Sequence, residues 1–400
     1  DPTFMREILY QDLINNYIPA TKGNFVKLFV NNEYLGIYSN IQQIDNVFID
    51  EWFMSSKGSR WRAYVKSQFQ MGPGGPGGPG GPGGPMDTAF RAKIDSLMRA
   101  NHIDFNGGQM DEAARMKIDS LLKTIGINFP GGPGRPGRPG RPDSLDFPDS
   151  PDGDDGGPGG PGGGMWGQGS NGLKYLGTDT AEYQKNYTLK SSKLENPWND
   201  LITVTDVLNN TPLNKLEDSL SKYMDIDRVL WTLACENIFL DDDSYVFKGG
   251  MDYYLYFEPE THRLVTLQYD GNATFSSFNG NWSPFLNEKN DNYPLMNRLL
   301  KVPSLRQRYL AHYRTIMQES LNPSVINPMI DQYKRLIEST VKSDTIKLST
   351  NKDFDDEIPS LDKFVTSRKA YLQSNAEISP IGVTIGSVTH QAKMTGQVKP

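Results

Sequence analysis

Residues 235–275 read CENIFLDDDSYVFKGGMDYYLYFEPETHRLVTLQYDGNATF, and this stretch decides the fold. Residues 253–257 are aromatic and apolar, an ordinary turn sequence (Glu-Pro-Glu-Thr) follows, and residues 263–269 alternate like a second strand. The pattern therefore predicts a β-hairpin, which is followed at once by Asp270.

The two ends of such a hairpin lie side by side, so Asp243 before the first strand and Asp270 after the second can face one pocket. Two carboxylates placed in this way suit a divalent cation or the orientation of an attacking hydroxyl. Residues 241–243 also end an apolar helical run, where the helix dipole disfavours negative charge unless a cation lies nearby. The alternative is that these acidic residues only form a cap and an ordinary turn.

Four segments of this stretch carry a resemblance to the spore-coat protein H (CotH) kinase family. Its members show an Asp-Ser-Tyr-like segment, then Asn-Tyr-Tyr-Leu-Tyr, a turn of the type Asp-Pro-Glu-Thr-Gly-Arg, and Trp-Asp-x-Asp. The matching segments here are Asp-Ser-Tyr at 243–245, Asp-Tyr-Tyr-Leu-Tyr at 252–256, Glu-Pro-Glu-Thr-His-Arg at 258–263 and Tyr-Asp-Gly-Asn at 269–272.

The resemblance implies an α+β fold of atypical, secreted, protein-kinase-like type. It implies a small β-rich N-terminal lobe, a larger helical C-terminal lobe, and binding of ATP with Mg²⁺ or Mn²⁺. Asp243 would occupy the position of the catalytic-loop Asp, and Asp270 that of the metal-binding Asp.

The match has departures at two of the expected ligand positions. Asp252 stands where the family usually has Asn, and Asn272 stands where it has a second Asp. Together these two residues still offer one carboxylate and one amide oxygen to a metal. The connector at residues 246–251 is also longer than is usual in the family.

A second hairpin is predicted near the N-terminus, with strands at residues 25–30 and 34–41 around an Asn-Asn turn. Its sequence Asn-Asn-Glu-Tyr-Leu-Gly-Ile-Tyr resembles the Asn-Gly-Glu-Tyr-x-Gly-x-Tyr hairpin of the family. Gln42 lies where the family has a Glu, and an amide cannot form the Lys–Glu ion pair of kinase-like sites. The alternative for Gln42 is an exposed strand residue.

Two cations are candidates for contacts with phosphate. Arg62, in a predicted strand at residues 57–64, falls where the family usually has a Lys, and Lys190 ends another strand that resembles the family. Cations on strands beside a nucleotide meet phosphate oxygens. The alternatives are a surface Arg and a solvated Lys.

Composition divides the chain into four parts. Glycine and proline runs with no capacity for a packed core dominate one of them. The predicted parts are residues 1–70 (the start of the kinase-like domain, cut upstream), 71–171 (an insertion), 172–375 (the rest of the domain) and 376–400 (a linker or another module).

The insertion contains an internal repeat with a period of 24 residues, in which residues 86–97 are echoed by residues 110–121. Each unit has the pattern of one short amphipathic helix, which is marginal in isolation. The repeat is either a tethered docking element or an inert insertion.

The bulk composition excludes several classes of partner. The net charge of −7 argues against nucleic acid, and no apolar run of ~18 residues is present to span a membrane. The single cysteine, Cys235, cannot form an intramolecular disulfide and is expected to pack in a helix. The chain has the character of an excised part of a longer protein, for which a secreted or cell-surface location is expected.

The sequence leaves two main functional hypotheses and one weaker one. The first is ATP- and metal-dependent phosphoryl transfer to Ser or Thr hydroxyls of a protein substrate. The second, motivated by Gln42, Asp252 and Asn272, is a pseudokinase that acts as a metal-binding surface, adhesion or structural module. The third is a carbohydrate-associated protein, suggested by the many aromatic residues.

Overall fold

The computed structural model of the protein describes residues 1–63, 172–276 and 281–379, in which helices are combined with two antiparallel sheets. All of these residues fall in one unit of the chain, made of residues 1–69 and 167–400. The predicted insertion and its repeat, and the predicted C-terminal linker beyond residue 379, lie outside the described residues.

The strands in the described residues are short, and the pairs that they form with one another are antiparallel. They are β1 (Gly23–Val30), β2 (Glu33–Ile41), β3 (Ser59–Ala63), β4 (Tyr187–Ser191), β5 (Tyr253–Glu258) and β6 (Arg263–Gln268).

Helices account for most of the remaining regular structure in the described residues. They are α1 (Arg6–Ile14), α2 (Asn46–Trp52), α3 (Thr180–Gln184), α4 (Pro197–Asn210), α5 (Leu213–Leu220), α6 (Ile226–Ile238), α7 (Tyr245–Lys248), α8 (Pro294–Leu299), α9 (Pro303–Glu319), α10 (Pro323–Ser343) and α11 (Asn351–Gln373).

The hairpin predicted from residues 253–269 is present as β5 and β6, which pair from Tyr253 opposite Gln268 to Glu258 opposite Arg263. It lies within a four-stranded sheet of order β4-β3-β5-β6. Strands from both sides of residues 64–171 therefore share one sheet, and the combination of this sheet with the helices confirms the α+β class.

The N-terminal hairpin is also confirmed, with β1 and β2 joined at Asn31 and Asn32. Both residues have positive φ, 51° and 65°, which is the conformation of a type I′ turn and is one that asparagine tolerates. The hairpin is tied to the end of α10, because the Ile37 N–H and the Tyr34 hydroxyl both donate to Asp344 Oδ2 at 3.3 Å.

Apolar stripes in the sequence predict helices over residues 294–321 and 362–374, and the structure corrects both near prolines. The helix expected over residues 294–321 is divided into α8 and α9, since Pro303 cannot continue the backbone hydrogen bonds of a preceding turn. The helix expected over residues 362–374 begins earlier, at a capping box between Thr350 and Asp353, and continues through Pro359.

Helix α6 forms the centre of the core and leads directly to the triple carboxylate. Eleven of its thirteen residues are buried, on all sides of the helix, which is typical of a helix enclosed by other elements. Cys235 is among them and is completely buried, as predicted.

The C-terminal end of α6 is closed by a Schellman motif without glycine. The Asp241 N–H donates to the Glu236 carbonyl at 2.9 Å and the Leu240 N–H to the Asn237 carbonyl at 3.3 Å. Leu240 has φ 53°, a conformation that costs a residue with a side chain about 1–2 kcal/mol. This end of the helix is therefore held in place by its surroundings, at the point where the acidic segment begins.

Arg368, on α11, supplies the positive charge at this helix end. Its guanidinium is completely buried and donates to the carbonyls of Asn237 at 2.9 Å, Ile238 at 3.2 Å and Trp282 at 2.8 Å, and to the Asn237 side chain at 2.9 Å. A cation near the last carbonyls of a helix interacts favourably with its dipole. Arg368 therefore offsets part of the negative end of the helix dipole.

None of the helices in residues 1–63, 172–276 and 281–379 has the length and apolar character that a membrane span requires.

We predict that Arg368→Met lowers the free energy of unfolding by about 3 kcal/mol, since several buried carbonyls lose a charged donor at once. Chemical denaturation measures the effect. The matched control is Arg335→Met on α10, where the side chain is exposed and we expect a change within about 0.5 kcal/mol. Equal effects of the two substitutions would contradict this role of Arg368.

Candidate functional site

The two acidic segments predicted to converge, residues 241–243 and 270–272, are linked at the open end of the β5–β6 hairpin. Asp241 Oδ1 accepts the Asp243 N–H at 3.3 Å, and Asp241 Oδ2 accepts the Gln268 Nε2 amide at 3.1 Å. The same Gln268 amide donates to the Asp270 carbonyl. Asp243 and Asp270 therefore belong to neighbouring segments that are joined through one buried carboxyl and one buried amide.

Helix α1 fixes this junction from one side. Gln11 Nε2 donates to Gln268 Oε1 at 2.7 Å, and Gln11 Oε1 accepts the Thr21 N–H at 3.1 Å. Tyr10 packs under Gly271 so closely that a Cβ at position 271 would lie 2.6 Å from the tyrosine ring. The missing side chain at Gly271 thus allows the turn after Asp270 to lie against α1.

Asp270 has an unusual backbone for a residue with a side chain, with φ 65°. Its Oδ1 accepts the Asn272 N–H at 3.1 Å, which closes an Asx-type turn. The Asn272 side chain is exposed. The predicted metal ligands Asp270 and Asn272 are therefore placed in one tight turn by local hydrogen bonding.

The predicted catalytic Asp243 and the predicted ligand Asp252 are bridged by Lys248. The Lys248 ammonium forms an ion pair with Asp243 Oδ1 and a second one with Asp252 Oδ2 at 3.1 Å. Lys248 ends α7, and Asp252 has φ 63° immediately before β5. The third predicted metal ligand is thus engaged by a cation of the chain.

Several buried or half-buried carboxyls surround this junction and resist ionisation. Burial raises the pKa of Glu236 to about 8. Burial, with the neighbouring Glu236 carboxyl, raises the pKa of Asp241 well above its ordinary value. Burial and then the charge of Asp270 raise the pKa of Glu7, on α1, to about 7. The site therefore has more carboxyl groups than the negative charges it can carry near neutral pH.

Arg62 lies beside the acidic turn, as a phosphate-binding cation would need to. Its guanidinium is 4.4 Å from the centre of the Tyr269 ring, and Tyr269 directly precedes Asp270. Arg62 also shifts the pKa of Tyr254 downward against the larger upward effect of burial.

The other two predicted cofactor residues have different positions. Lys190 is the extra residue of a bulge between β3 and β4, and its side chain is exposed. Gln42 donates to Glu51 Oε2 at 3.1 Å and accepts the Lys22 N–H at 3.2 Å. These hydrogen bonds join Gln42 to Glu51 and Lys22, and none of them reaches Arg62 or Lys190.

Three residues that organise the site were not singled out from the sequence. Asp241 was visible only as one member of a triple carboxylate, and its central position depends on the Schellman end of α6. Gln268 carries no sequence signal, since a polar residue at a strand end is ordinary. Lys248 was visible in the long connector, but its two partners could not be inferred from spacing.

The metal-binding capacity of the described residues is limited. No group of three or more His, Cys, Asp or Glu side chains in that part of the chain is arranged to hold a metal ion. Mg²⁺ does not need such a cage, because proteins usually bind it through one or two carboxylates together with water and phosphate oxygens. Asp270 with Asn272 fits this mode.

A cavity of about 340 Å³ lies at the other end of the hairpin, next to the β5–β6 turn. Its wall includes Glu258 and Arg263 of the hairpin and Trp231 of α6. The Trp231 ring is stacked between two other rings, at 5.0 Å from Tyr17 and 3.8 Å from His312. Its faces are therefore covered, which does not suit the sugar stacking that the carbohydrate hypothesis requires.

The structure therefore defines an α+β domain in which acidic residues are grouped at the open end of the β5–β6 hairpin. A sequence model of the family described as CotH kinase protein matches residues 1–76 and 165–372. The chain therefore belongs to the CotH kinase family, as the resemblance predicted. The unmatched residues 77–164 fall within the predicted insertion. No curated protein matches the sequence.

We predict that Gln268→Met destabilises both acidic segments together, because Asp241, Asp270 and Gln11 each lose a hydrogen-bond partner. The expected loss in the free energy of unfolding is about 2 kcal/mol. Hydrogen exchange should show faster exchange of the Asp243 and Asn272 amides. Gln332→Met, at an exposed position of α10, is the matched control. Faster exchange in only one of the two segments would show that Gln268 does not join them.

We predict that Glu236→Gln changes how stability depends on pH. The folded carboxyl stays protonated up to about pH 8, whereas the ordinary pKa of Glu is 4.5, so unfolding releases a proton between these values and wild-type stability falls as pH rises. The amide of the variant cannot titrate, so the stability of the variant relative to wild type should rise from pH 5 to pH 8, by up to about 1.4 kcal/mol per pH unit.

Denaturant titrations over this pH range measure the difference. Glu260→Gln, at an exposed turn position, should leave the pH dependence as it is in wild type. A pH-independent difference between Glu236→Gln and wild type would show that Glu236 ionises equally in the folded and unfolded states.

Proposed function

We propose that the protein transfers a phosphoryl group from ATP to Ser or Thr hydroxyls of a protein substrate, with Mg²⁺ or Mn²⁺. The observation that supports this most is the junction of the Asp243 and Asp270 segments through Asp241 and Gln268. Membership of the CotH kinase family supports the same class of reaction.

The proposed roles follow from the position of each side chain. Asp243 would orient the acceptor hydroxyl and take its proton, because a carboxylate within hydrogen-bonding reach can act as general base. Asp270 with Asn272 would hold the metal, which neutralises developing charge on the phosphates when it is bound. Arg62, beside the same turn, would pair with phosphate oxygens.

The remaining predicted residues have weaker support. Asp252 would join the metal ligands against the positive charge of Lys248, which pairs with its Oδ2. Lys190 is exposed on β4 and would have to reach the nucleotide from the sheet edge. Gln42 donates to Glu51 and would contribute through this contact.

We propose that the protein carries out this activity outside the cell, either secreted or at the cell surface. Its support is the resemblance of the sequence to a family of secreted kinases. A two-lobed, kinase-like arrangement belongs to the same proposal.

A second candidate function is a pseudokinase that serves as a surface, adhesion or structural module. The observation that favours it is Lys248, which pairs with both Asp243 and Asp252. The proposed general base, Asp243, and the proposed ligand, Asp252, both pair with the Lys248 ammonium, so the site already contains a positive charge. In this case a bound metal would have a structural role.

We predict that Asp270→Ala abolishes metal-dependent ATP binding and leaves the fold intact. The reason is that Asp270 provides the carboxylate of the acidic turn. Its side chain accepts from the local Asn272 amide, while its contact with Gln268 uses the backbone carbonyl, which alanine keeps. Thermal unfolding is measured with ATP, with Mn²⁺ and with both together. We expect the unfolding temperature of wild type to rise only when both are present. The variant should lose this stabilisation, with ATP affinity at least about tenfold weaker.

Asp218→Ala, an exposed position of α5, is the control and should behave as wild type. Unchanged nucleotide affinity in Asp270→Ala would contradict the assignment of Asp270. Stabilisation of wild type by Mn²⁺ alone would favour the pseudokinase with a structural metal.

A further inference from the structure

Lys248 is the one residue that contacts both Asp243 and Asp252 in the described part of the chain. We propose that its ammonium is an internal counter-ion that takes the place of a divalent cation between these carboxylates and competes with metal for them. The inference rests on the proposed function where it treats the two carboxylates as site residues. Its test uses metal without nucleotide.

The three side chains form a compact, partly buried charge cluster. Lys248, Asp243 and Asp252 are 23%, 28% and 17% exposed, respectively. An ammonium group has three donors and no acceptor, so it can serve two carboxylates at once. Because the cluster is largely shielded from solvent, the two ion pairs are screened less than surface pairs.

The position of Lys248 is built by the segment that carries it. Helix α7 has only one turn, but four backbone groups in and next to it form hydrogen bonds with side chains outside the helix. The Val246 N–H donates to Glu236 Oε2 at 3.0 Å, the Val246 carbonyl accepts from Asn287 at 2.8 Å, the Phe247 carbonyl accepts from Tyr293 at 2.8 Å, and the Gly249 carbonyl accepts from Tyr253 at 3.2 Å.

The Phe247 ring adds a further constraint on the same turn. It is stacked on Trp282 with 4.8 Å between ring centres and 5° between planes. Gly249, with φ 73°, then reverses the chain toward Asp252. With the backbone fixed on both sides, the lysine stem begins from a defined point, so that forming the ion pairs costs only the ordering of the side chain itself.

The electrostatic consequence is a competition between two kinds of cation. Without Lys248, two carboxylates would face each other with no opposite charge, which is unfavourable in a partly buried site. Oxygen ligands of this type bind divalent cations. A metal ion that uses Asp252 in the wild-type protein meets the positive charge of an ammonium already paired with that carboxylate, whereas one that binds a variant without the ammonium meets no competing charge.

The test is Mn²⁺ binding to Lys248→Met, measured by calorimetric titration without nucleotide. Methionine has a similar length and no charge, so we expect the variant to bind Mn²⁺ at least about tenfold more tightly than wild type. Lys248→Arg keeps the positive charge and should bind Mn²⁺ as weakly as wild type. The double variant Lys248→Met with Asp252→Asn should lose the gain, which locates the new affinity at this cluster.

Thermal unfolding gives a second measurement that does not depend on the titration. Mn²⁺ should raise the unfolding temperature of Lys248→Met by more than that of wild type. Lys185→Met is the matched control, since Lys185 forms an exposed ion pair with Glu182 and its loss should not change the response to Mn²⁺.

Equal or weaker Mn²⁺ affinity in Lys248→Met would overturn the proposal, and so would a loss of stability that Mn²⁺ does not reverse. A gain that survives the Asp252→Asn change would overturn it as well. These outcomes differ from a failure of the proposed kinase function, which would appear as unchanged ATP affinity in Asp270→Ala while the Mn²⁺ responses at Lys248 stayed as expected.

Discussion

The buried C-terminal end of α6 is the constraint on which the site depends. Negative side chains at this position oppose the helix dipole, and Leu240 adds the cost of a left-handed backbone. The compensation comes from far along the chain, where Arg368 donates to the last carbonyls of the helix. Asp241 avoids much of the conflict because its raised pKa favours the neutral form. The acidic segment is therefore supported by a buried guanidinium at the helix end and by the protonation of Asp241.

The same separation of structural and functional charge extends through the junction. Asp241 and Glu236 are buried and interact with backbone or amide donors, so they hold the segments in place. Asp243, Asp252 and Asp270 lie nearer the surface, where charge can be exchanged with a ligand. The outer carboxylates can therefore exchange one counter-ion for another, while the inner hydrogen bonds keep the end of the hairpin in place.

Much of the fold and part of the site could be predicted from the sequence, for reasons that differ by residue. The β5–β6 hairpin was predictable because its strand and turn chemistry are local. The placement of Asp270 at its open end followed from that geometry alone. Gln268 and Lys248 could not be predicted as site residues, because their roles depend on partners supplied by α1, α6 and the loop before β5. The sequence predicted one helix over residues 294–321, because its apolar periodicity was given more weight than Pro303, and the division into α8 and α9 was missed.

The choice between an active kinase and a pseudokinase depends on how firmly Lys248 holds its two carboxylates. A general base needs an oxygen that is available to the acceptor hydroxyl, and Asp243 has a second oxygen beyond the one paired with Lys248. The ion pair at one oxygen also fixes the orientation of the Asp243 carboxylate. At Asp252 the charge of the ammonium opposes the approach of a second cation to the same carboxylate, although Lys248 pairs only with Oδ2. Lys248 is therefore compatible with Asp243 as a base and disfavours Asp252 as a ligand through its charge, so that the metal would depend chiefly on Asp270 and on the phosphates that arrive with it.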